Sequence, residues 1–266
     1  MKALNIAHRG GAALIPENTL AAFADAVARG CDGAELDVQL ARDGVVVVHH
    51  DFRLMADVAR KDGACLGEPG PRIKDLTWAE LQQFDVGLPR PSSAYAQKHP
   101  LMRALSDAKV PSLEEVAALA RNAPRPFLLM VELKCDASED SADPVTLAQA
   151  AYDVCAGQNE RVIFVGFDWR ALLPLVARGA SCWFTTDRLS GDARPVIDAI
   201  ANAGGQGWFP NFPDATPDNV AYARSKGLKV GAWTVNDPVD MAHLKALDAI
   251  CTDRPDLLAG LLASLA

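Results

Sequence analysis

Val162-Ile163-Phe164-Val165-Gly166-Phe167, then Asp168-Trp169-Arg170-Ala171-Leu172-Leu173-Pro174-Leu175-Val176-Ala177, then Ser181-Cys182-Trp183-Phe184-Thr185: the chain passes here from a β-branched, aromatic run through a helix-like run to a second strand-like run. The pattern predicts strands over 162–167 and 181–185 with a helix over 169–177 between them. Strands joined this way run parallel, because a parallel pair needs a crossover where an antiparallel pair needs only a turn. The same alternation extends in both directions. Strand-like runs at 4–8, 33–37, 127–134, 207–210, 229–234 and 249–252 bring the total to eight. Helix-like runs occupy 18–29, 144–156, 193–202, 217–226, 238–246 and 255–263. Several open on a start signal: Asp143, Thr216 and Asp237 each precede a proline. Eight strand–helix units in 266 residues favour an α/β fold closed into a (β/α)8 TIM-type barrel, with an open doubly wound sheet as the alternative. No glycine-rich G-x-G-x-x-G follows the first strand, so a dinucleotide site is not supported.

Two features interrupt the alternation. Residues 45–49 read as an extra strand behind an Asp43-Gly44 turn, a strong hairpin signal. With Asp43 and Gly44 as the two central residues, Arg42 pairs with Val45. Counting outward sets Asp37 opposite His50. Beyond it, 51–110 is rich in glycine, proline and charge, with one helix expected at 77–84 and another starting at Ser112. It reads as an insertion on the top of a single domain spanning 1–266 rather than as a separate core.

Composition narrows the classes of function. Half the residues are hydrophobic and 23% are charged, as in ordinary globular proteins. The net charge of −8 argues against a nucleic-acid partner, which needs clustered Lys and Arg. No apolar run approaches the roughly 20 residues that span a bilayer, so no stable membrane association is expected. The N-terminus lacks a signal-peptide core, and the six scattered cysteines, without a close pair, are expected to be reduced. The expected location is cytoplasmic. Oligomeric state is not legible.

In such barrels chemistry collects at the C-terminal ends of the strands. His8 and Arg9 end the first strand. Glu35 and Asp37 are two apart on the second and so point to one side. His50 closes the hairpin, Glu132 and Lys134 repeat the spacing, Thr234 and Asn236 follow the seventh strand, and Asp253 follows the eighth. Glu35, Asp37 and Glu132 converging in a barrel mouth repel one another unless a cation neutralises them. Hard oxygen donors suit one divalent cation, Mg²⁺ or Ca²⁺, better than zinc. His8 and His50 offer a proton acceptor and a proton donor near neutral pH. Arg9 and Lys134 offer fixed positive charge for a phosphoryl group. Metal, acid–base pair and anion clamp are together what phosphodiester cleavage demands.

In these residues the sequence resembles the glycerophosphodiester phosphodiesterases, relatives of the phosphatidylinositol-specific phospholipases C. The resemblance rests on His8-Arg9-Gly10, Pro16-Glu17-Asn18-Thr19, Glu35-Leu36-Asp37-Val38, His50-Asp51, Pro111-Ser112-Leu113-Glu114-Glu115, Glu132-Leu133-Lys134, Trp233-Thr234-Val235-Asn236 and Thr252-Asp253-Arg254-Pro255, in the family's order and over nearly the whole chain. It implies hydrolysis of a small glycerophosphodiester to sn-glycerol 3-phosphate and an alcohol. His8 and His50 would be general acid and base, Glu35, Asp37 and Glu132 the metal ligands, Arg9 and Lys134 the phosphate clamp, and Trp233 the wall beside the glycerol. The implied route runs through attack of the glycerol 2-hydroxyl and a cyclic phosphate, with direct attack of water as the competitor. One departure is Gly166-Phe167-Asp168, where the family usually carries a serine before the phenylalanine.

Other polar residues receive plainer expectations. His49 points away from His50 and is structural, while His99 and His243 lie on exposed loops or helices. Glu17 and Asn18 position the first loop and cap the next helix. Trp78, Trp169, Trp183 and Trp208 pack, and Asp136–Asp143 is a solvated loop. Rival functions are a lysophospholipase D-like or sphingomyelinase-like lipid enzyme and a non-catalytic phosphodiester-binding barrel. A zinc amidohydrolase is disfavoured because it predicts His-x-His on the first strand.

Overall fold

The computed structural model describes residues 2–139, 141–157 and 159–264. Eight parallel strands carry the fold: β1 (Leu4–His8), β2 (Gly33–Leu40), β3 (Leu128–Leu133), β4 (Val162–Gly166), β5 (Cys182–Thr186), β6 (Gly207–Pro210), β7 (Lys229–Ala232) and β8 (Ala249–Thr252). Neighbours in sequence are neighbours in the sheet. β8 pairs with β1, and β1 pairs with β2 with Ile6 opposite Gly33 and His8 opposite Glu35, so the sheet closes on itself. The expected barrel holds, and the open sheet does not.

After each strand comes its helix: α1 (Leu20–Ala28), α2 (Leu113–Arg121), α3 (Pro144–Val154), α4 (Trp169–Val176), α5 (Arg194–Asn202), α6 (Pro217–Ser225), α7 (Pro238–Leu244) and α8 (Pro255–Ala263). Asp143, Thr216 and Asp237 cap α3, α6 and α7 with their side chains as the sequence predicts. The cap of α1 is Thr19 rather than Asn18, whose side chain is drawn elsewhere. Ser112 and Glu115 form a reciprocal capping box at α2. Among the described residues no helix is long and apolar enough to cross a membrane.

Alternation along the strands divides the core in two. On β4, Val162 and Phe164 face the helix layer, whereas Ile163 and Val165 join Ile6, Met130, Trp183, Phe209, Ala249 and Cys251 inside the barrel. The Trp183 indole crosses that interior. A Cβ on Gly207 would lie 2.5 Å from its ring and one on Gly231 would lie 2.9 Å away, so glycine on β6 and β7 makes the room. Trp208 is fully buried and donates to Thr186, and all six cysteines are free.

The hairpin departs from its expected register by one residue. Val46–Val48 pairs antiparallel with β2, with Val38 opposite Val48 and Leu40 opposite Val46. Gly44, at φ +80°, donates its N–H to Ala41, and Ala41 donates to Val45. The loop therefore has three residues, 42–44, with glycine in the left-handed position, where the two-residue reading put Arg42 opposite Val45. Asp37 faces His49, not His50, and accepts the His49 N–H at 2.9 Å.

Residues 51–110 are more structured than expected. Arg60–Lys61 sits between Ala64–Cys65 and Phe84–Asp85 in a small sheet, and helices Trp78–Leu81 and Ala94–Lys98 are capped by Thr77 and Ser93. The segment also has apolar packing of its own. Leu54, Val58, Ile73, Leu81, Phe84 and Val110 cluster around Val47, while Val46 and Val48 face the main core. One β-strand period thus supplies both sides.

Candidate active site

At the end of β1 the chain turns sharply through Arg9 (φ +51°) and Gly10 (φ +84°). A Cβ on Gly10 would sit 2.6 Å from Ala22 Cβ and 2.9 Å from its carbonyl carbon, so only glycine lets α1 pack this close. The turn points the Arg9 N–H at Glu35 Oε2, 3.2 Å away. The left-handed conformation at Arg9 is costly for a residue that carries a Cβ and is held by its side chain. Nη1 donates to Glu17 Oε1 at 2.8 Å, and Nε lies 3.2 Å from Asp37 Oδ2 as an ion pair without hydrogen-bond geometry. Asn18 donates to Asp37 Oδ2 at 2.8 Å.

β2 and β3 bring three carboxylates together. Asp37 is directly opposite Glu132 in the ladder, and Glu35 is two residues behind on the same side. One oxygen from each of Glu35, Asp37 and Glu132 lies within 4.8 Å of the others. Glu35 is 2% exposed and Asp37 1%. Burial, with Asp37 and Glu132 beside it, pushes the Glu35 carboxyl well above the usual carboxylate range. Asp37 is buried as deeply, yet Arg9, His50 and Lys134 hold it well below. Lys134 Nζ donates to Glu132 Oε1 at 2.8 Å and is 3.8 Å from Asp37 Oδ1. Burial alone would lower the Lys134 ammonium, but these two carboxylates raise it.

Glu35 Oε1 is buried with no hydrogen-bond partner among the described residues. A buried carboxylate oxygen without a donor costs free energy. Three clustered carboxylates, one of them with an orphaned oxygen, fit a hard divalent cation.

Each of two histidines has one ring nitrogen tied to a carboxylate. His8 Nδ1 is 2.6 Å from Asp253 Oδ1, which leaves Nε2 toward the cluster, 3.7 Å from Glu35 Oε2. Asp253 is itself held by Asn236 Nδ2 at 2.7 Å, and Asn236 Oδ1 accepts from the Asp253 N–H and from Thr252 Oγ1. His50 Nδ1 is 2.6 Å from Asp51 Oδ1. His50 lies past the end of the ladder, where the Gln39 amide donates to the carbonyls of His49, His50 and Asp51 at 2.8, 3.3 and 2.8 Å. His49, beside it, is buried with its ring kept neutral by desolvation.

These groups surround a cavity of about 600 Å³ at the C-terminal mouth of the barrel, lined by His8, Arg9, His50, Glu132, Lys134 and Trp233, among others. Glu35 and Asp37 lie behind its floor. All eight residues singled out from sequence therefore gather in one place. On the far rim, Phe167 meets Trp233 edge to face at 5.3 Å, and Trp233 Nε1 donates to the Phe209 carbonyl. Asp168, in the departure from the family pattern, caps α4 and pairs with Arg170 rather than lining the cavity. Asp136 reaches the cavity rim from the exposed loop after β3 and accepts from Ser138, and Asp143 caps α3; Asp140 is outside the described residues.

Sequence reasoning missed Gln39, which reads as an ordinary strand residue, and Tyr95 and His99 in the insertion. His99 is not exposed. It is 7% exposed, lines the cavity and packs on Tyr95 with ring centroids 4.6 Å apart. No periodic pattern marks such a residue, because a loop path brings it in. His243 is exposed on α7 as expected.

Comparison with known proteins agrees with the geometry. Residues 8–257 match the glycerophosphoryl diester phosphodiesterase family. A glycerophosphodiester phosphodiesterase of Caldanaerobacter subterraneus is 30% identical over 263 residues, covering 98% of each chain. The crystal structure of a Silicibacter pomeroyi DSS-3 protein assigned to the same family superposes with a TM-score of 0.90 at 30% identity, over 98% of this chain and 92% of that one. An Oleispira antarctica phosphodiesterase, solved with its product sn-glycerol-3-phosphate, shares the fold at a TM-score of 0.77 and 23% identity, over 97% and 96% of the two chains. The chain thus belongs to the glycerophosphoryl diester phosphodiesterase family and is a phosphodiesterase of that kind.

Proposed function

We propose that this chain hydrolyses glycerophosphodiesters to sn-glycerol 3-phosphate and an alcohol with one divalent cation, Mg²⁺ or Ca²⁺, and with His8 and His50 as acid–base pair. The observation that carries the reading is the Glu35–Asp37–Glu132 cluster, one of its buried oxygens unpartnered, beside His8, with Glu132 lining the same cavity as His50. Glu35, Asp37 and Glu132 would hold the cation, which when bound supplies positive charge against the phosphoryl oxygens. Arg9 and Lys134 clamp the phosphate. Trp233, with Phe167, lines the glycerol side.

The Nδ1 contacts to Asp253 and Asp51 fix each imidazole and leave Nε2 for the substrate. One histidine accepts a proton from the attacking hydroxyl, which is the glycerol 2-hydroxyl or water. The phosphorus–oxygen bond to the alcohol breaks, and the other histidine gives its proton to the departing oxygen. A cyclic phosphate, where formed, is opened by water with the histidines in exchanged roles, so the sum is one water added. The segment 51–110 works within this single catalytic unit, 1–266, as a wall of the pocket. The substrate is a small molecule, with no nucleic acid involved, and the working location is the cytoplasm.

The test is release of sn-glycerol 3-phosphate from several glycerophosphodiesters, with and without EDTA, then with Mg²⁺ or Ca²⁺ restored. Activity should vanish with EDTA and return with one cation, and His50→Ala should fall by about 10²- to 10⁴-fold. Release that is indifferent to chelation, or a His50→Ala enzyme as fast as the parent, would sink the reading.

A further inference from the structure

The insertion places a third histidine in the cavity, and the roles proposed above do not use it. His99 lines the pocket; its Nδ1 is closed off and without a hydrogen-bond partner among the described residues, which leaves Nε2 as the ring nitrogen open to a ligand. A polar atom left unpaired in this way is destabilising, and native proteins pair the great majority of such atoms. The ring cannot readily swing out to find water. Tyr95 packs on it at 4.6 Å, the His99 N–H is bonded to the Tyr95 carbonyl at 3.1 Å, and Met102 donates to the His99 carbonyl. Tyr95 is fixed in turn. Its hydroxyl donates at 3.0 Å to Glu17, the carboxylate that also holds Arg9, and the following loop is tied down where Arg103 donates to the Leu14 carbonyl.

The chemistry of this wall is specific. Burial keeps the His99 imidazole below its ordinary range, only partly countered by Glu17 and Asp253, so near neutral pH it is an uncharged ring with one donor and one acceptor. Lys98, next to it, adds positive charge at the same side of the cavity. The carboxylates nearby are committed: Glu17 to Arg9 and Tyr95, Asp51 to His50, and Asp253 to His8 and Asn236. The other carboxylates of the lining are Glu132, paired with Lys134, and Asp136 and Asp187, which come from the loops after β3 and β5, farther round the barrel. A hydroxyl can donate to that open nitrogen or accept from it, according to the tautomer. A quaternary ammonium can do neither and meets Lys98.

We propose that His99 is a specificity residue in the subsite for the departing alcohol, and that it selects an uncharged polyol over a quaternary ammonium alcohol. This rests on the function proposed above, in which glycerol lies against Trp233 and Phe167 and the phosphate on Arg9 and Lys134. The insertion wall then faces the remaining substituent.

The test compares kcat/KM of the metal-loaded enzyme for the phosphodiester of two glycerols and for glycerophosphocholine. The first should exceed the second by about tenfold, the worth of one good hydrogen bond. His99→Phe, which keeps the stack on Tyr95, should collapse that ratio toward one. His99→Gln, which keeps a donor and an acceptor, should preserve most of it. A parent enzyme that turns over the choline ester as well as the glycerol ester overturns the proposal even if no variant folds. So does a His99→Phe enzyme that loses both substrates equally. Failure to release sn-glycerol 3-phosphate from either substrate overturns the parent reading, and this one with it, and is told apart by the absence of any turnover to compare.

Discussion

Asp253 lies outside the carboxylate cluster and, with His8 in its proposed role, would set which ring nitrogen meets the substrate. Its carboxylate is 2.6 Å from His8 Nδ1 and is locked from behind by Asn236. Asp253→Asn should lower kcat by about 10²-fold or more, because the amide can present its N–H to Nδ1 and favour the wrong tautomer. The same group should write itself into the pH dependence of stability. Burial alone would raise the Asp253 carboxyl, but the hydrogen bond and charge of His8, then Asn236 and Arg9, outweigh it and bring it down to about 2. A depressed acid stabilises the fold above its unfolded value of about 3.9 and loses that contribution as pH falls through its folded one. The contribution, on the order of 2 kcal/mol, is complete at pH 7 and fades between about pH 4 and pH 2. Urea midpoints of parent and Asp253→Asn should differ at pH 7, and the gap should be about halved by pH 3 and close toward pH 2. A constant gap would remove the linkage.

At the scale of elements, the hairpin on β2 decides where His50 goes. A three-residue loop pairs Asp37 with His49, and the chain leaves the ladder in time for His50 to reach the cavity. The turn signal Asp43-Gly44 was visible in the sequence, but not which of two loop lengths closes it. Those lengths differ by one residue, and in a strand one residue reverses the facing of every side chain. Gln39 then fastens the exit by donating to three successive carbonyls. Gln39→Leu leaves them without that donor. It should cost about 1–3 kcal/mol and, by loosening His50, about 10- to 100-fold in kcat. Thermal melts and initial rates measure the two effects. A stable variant with undiminished kcat would show that another contact holds the exit.

For the whole molecule, the cation proposed for the buried carboxylates would couple stability to its binding. Glu35 and Asp37 sit almost wholly out of solvent with Glu132 beside them, a costly arrangement that Arg9 and Lys134 offset only in part. A cation at 100 times its Kd adds about 2.7 kcal/mol to the folded state, so Mg²⁺ or Ca²⁺ should raise Tm by about 5–10 °C over EDTA. Glu35→Gln should abolish that shift and, free of cation, melt no lower than the parent. A Tm unmoved by either cation would argue that the cluster is neutralised by protons and side chains alone.

The barrel and the residues at its strand ends could be read from the chain because both are periodic. Apolar alternation marks each strand, helix starts are signed by Asp143, Thr216 and Asp237, and a spacing of two puts Glu35 and Asp37 on one side whatever surrounds them. What the tertiary structure alone decided is aperiodic. The His8–Asp253 contact closes 245 residues of chain, Tyr95 reaches Glu17 across 78, and His99 is buried only because the insertion folds back over the mouth. Such contacts depend on where loops close and which surfaces meet, and no local pattern of residues encodes that.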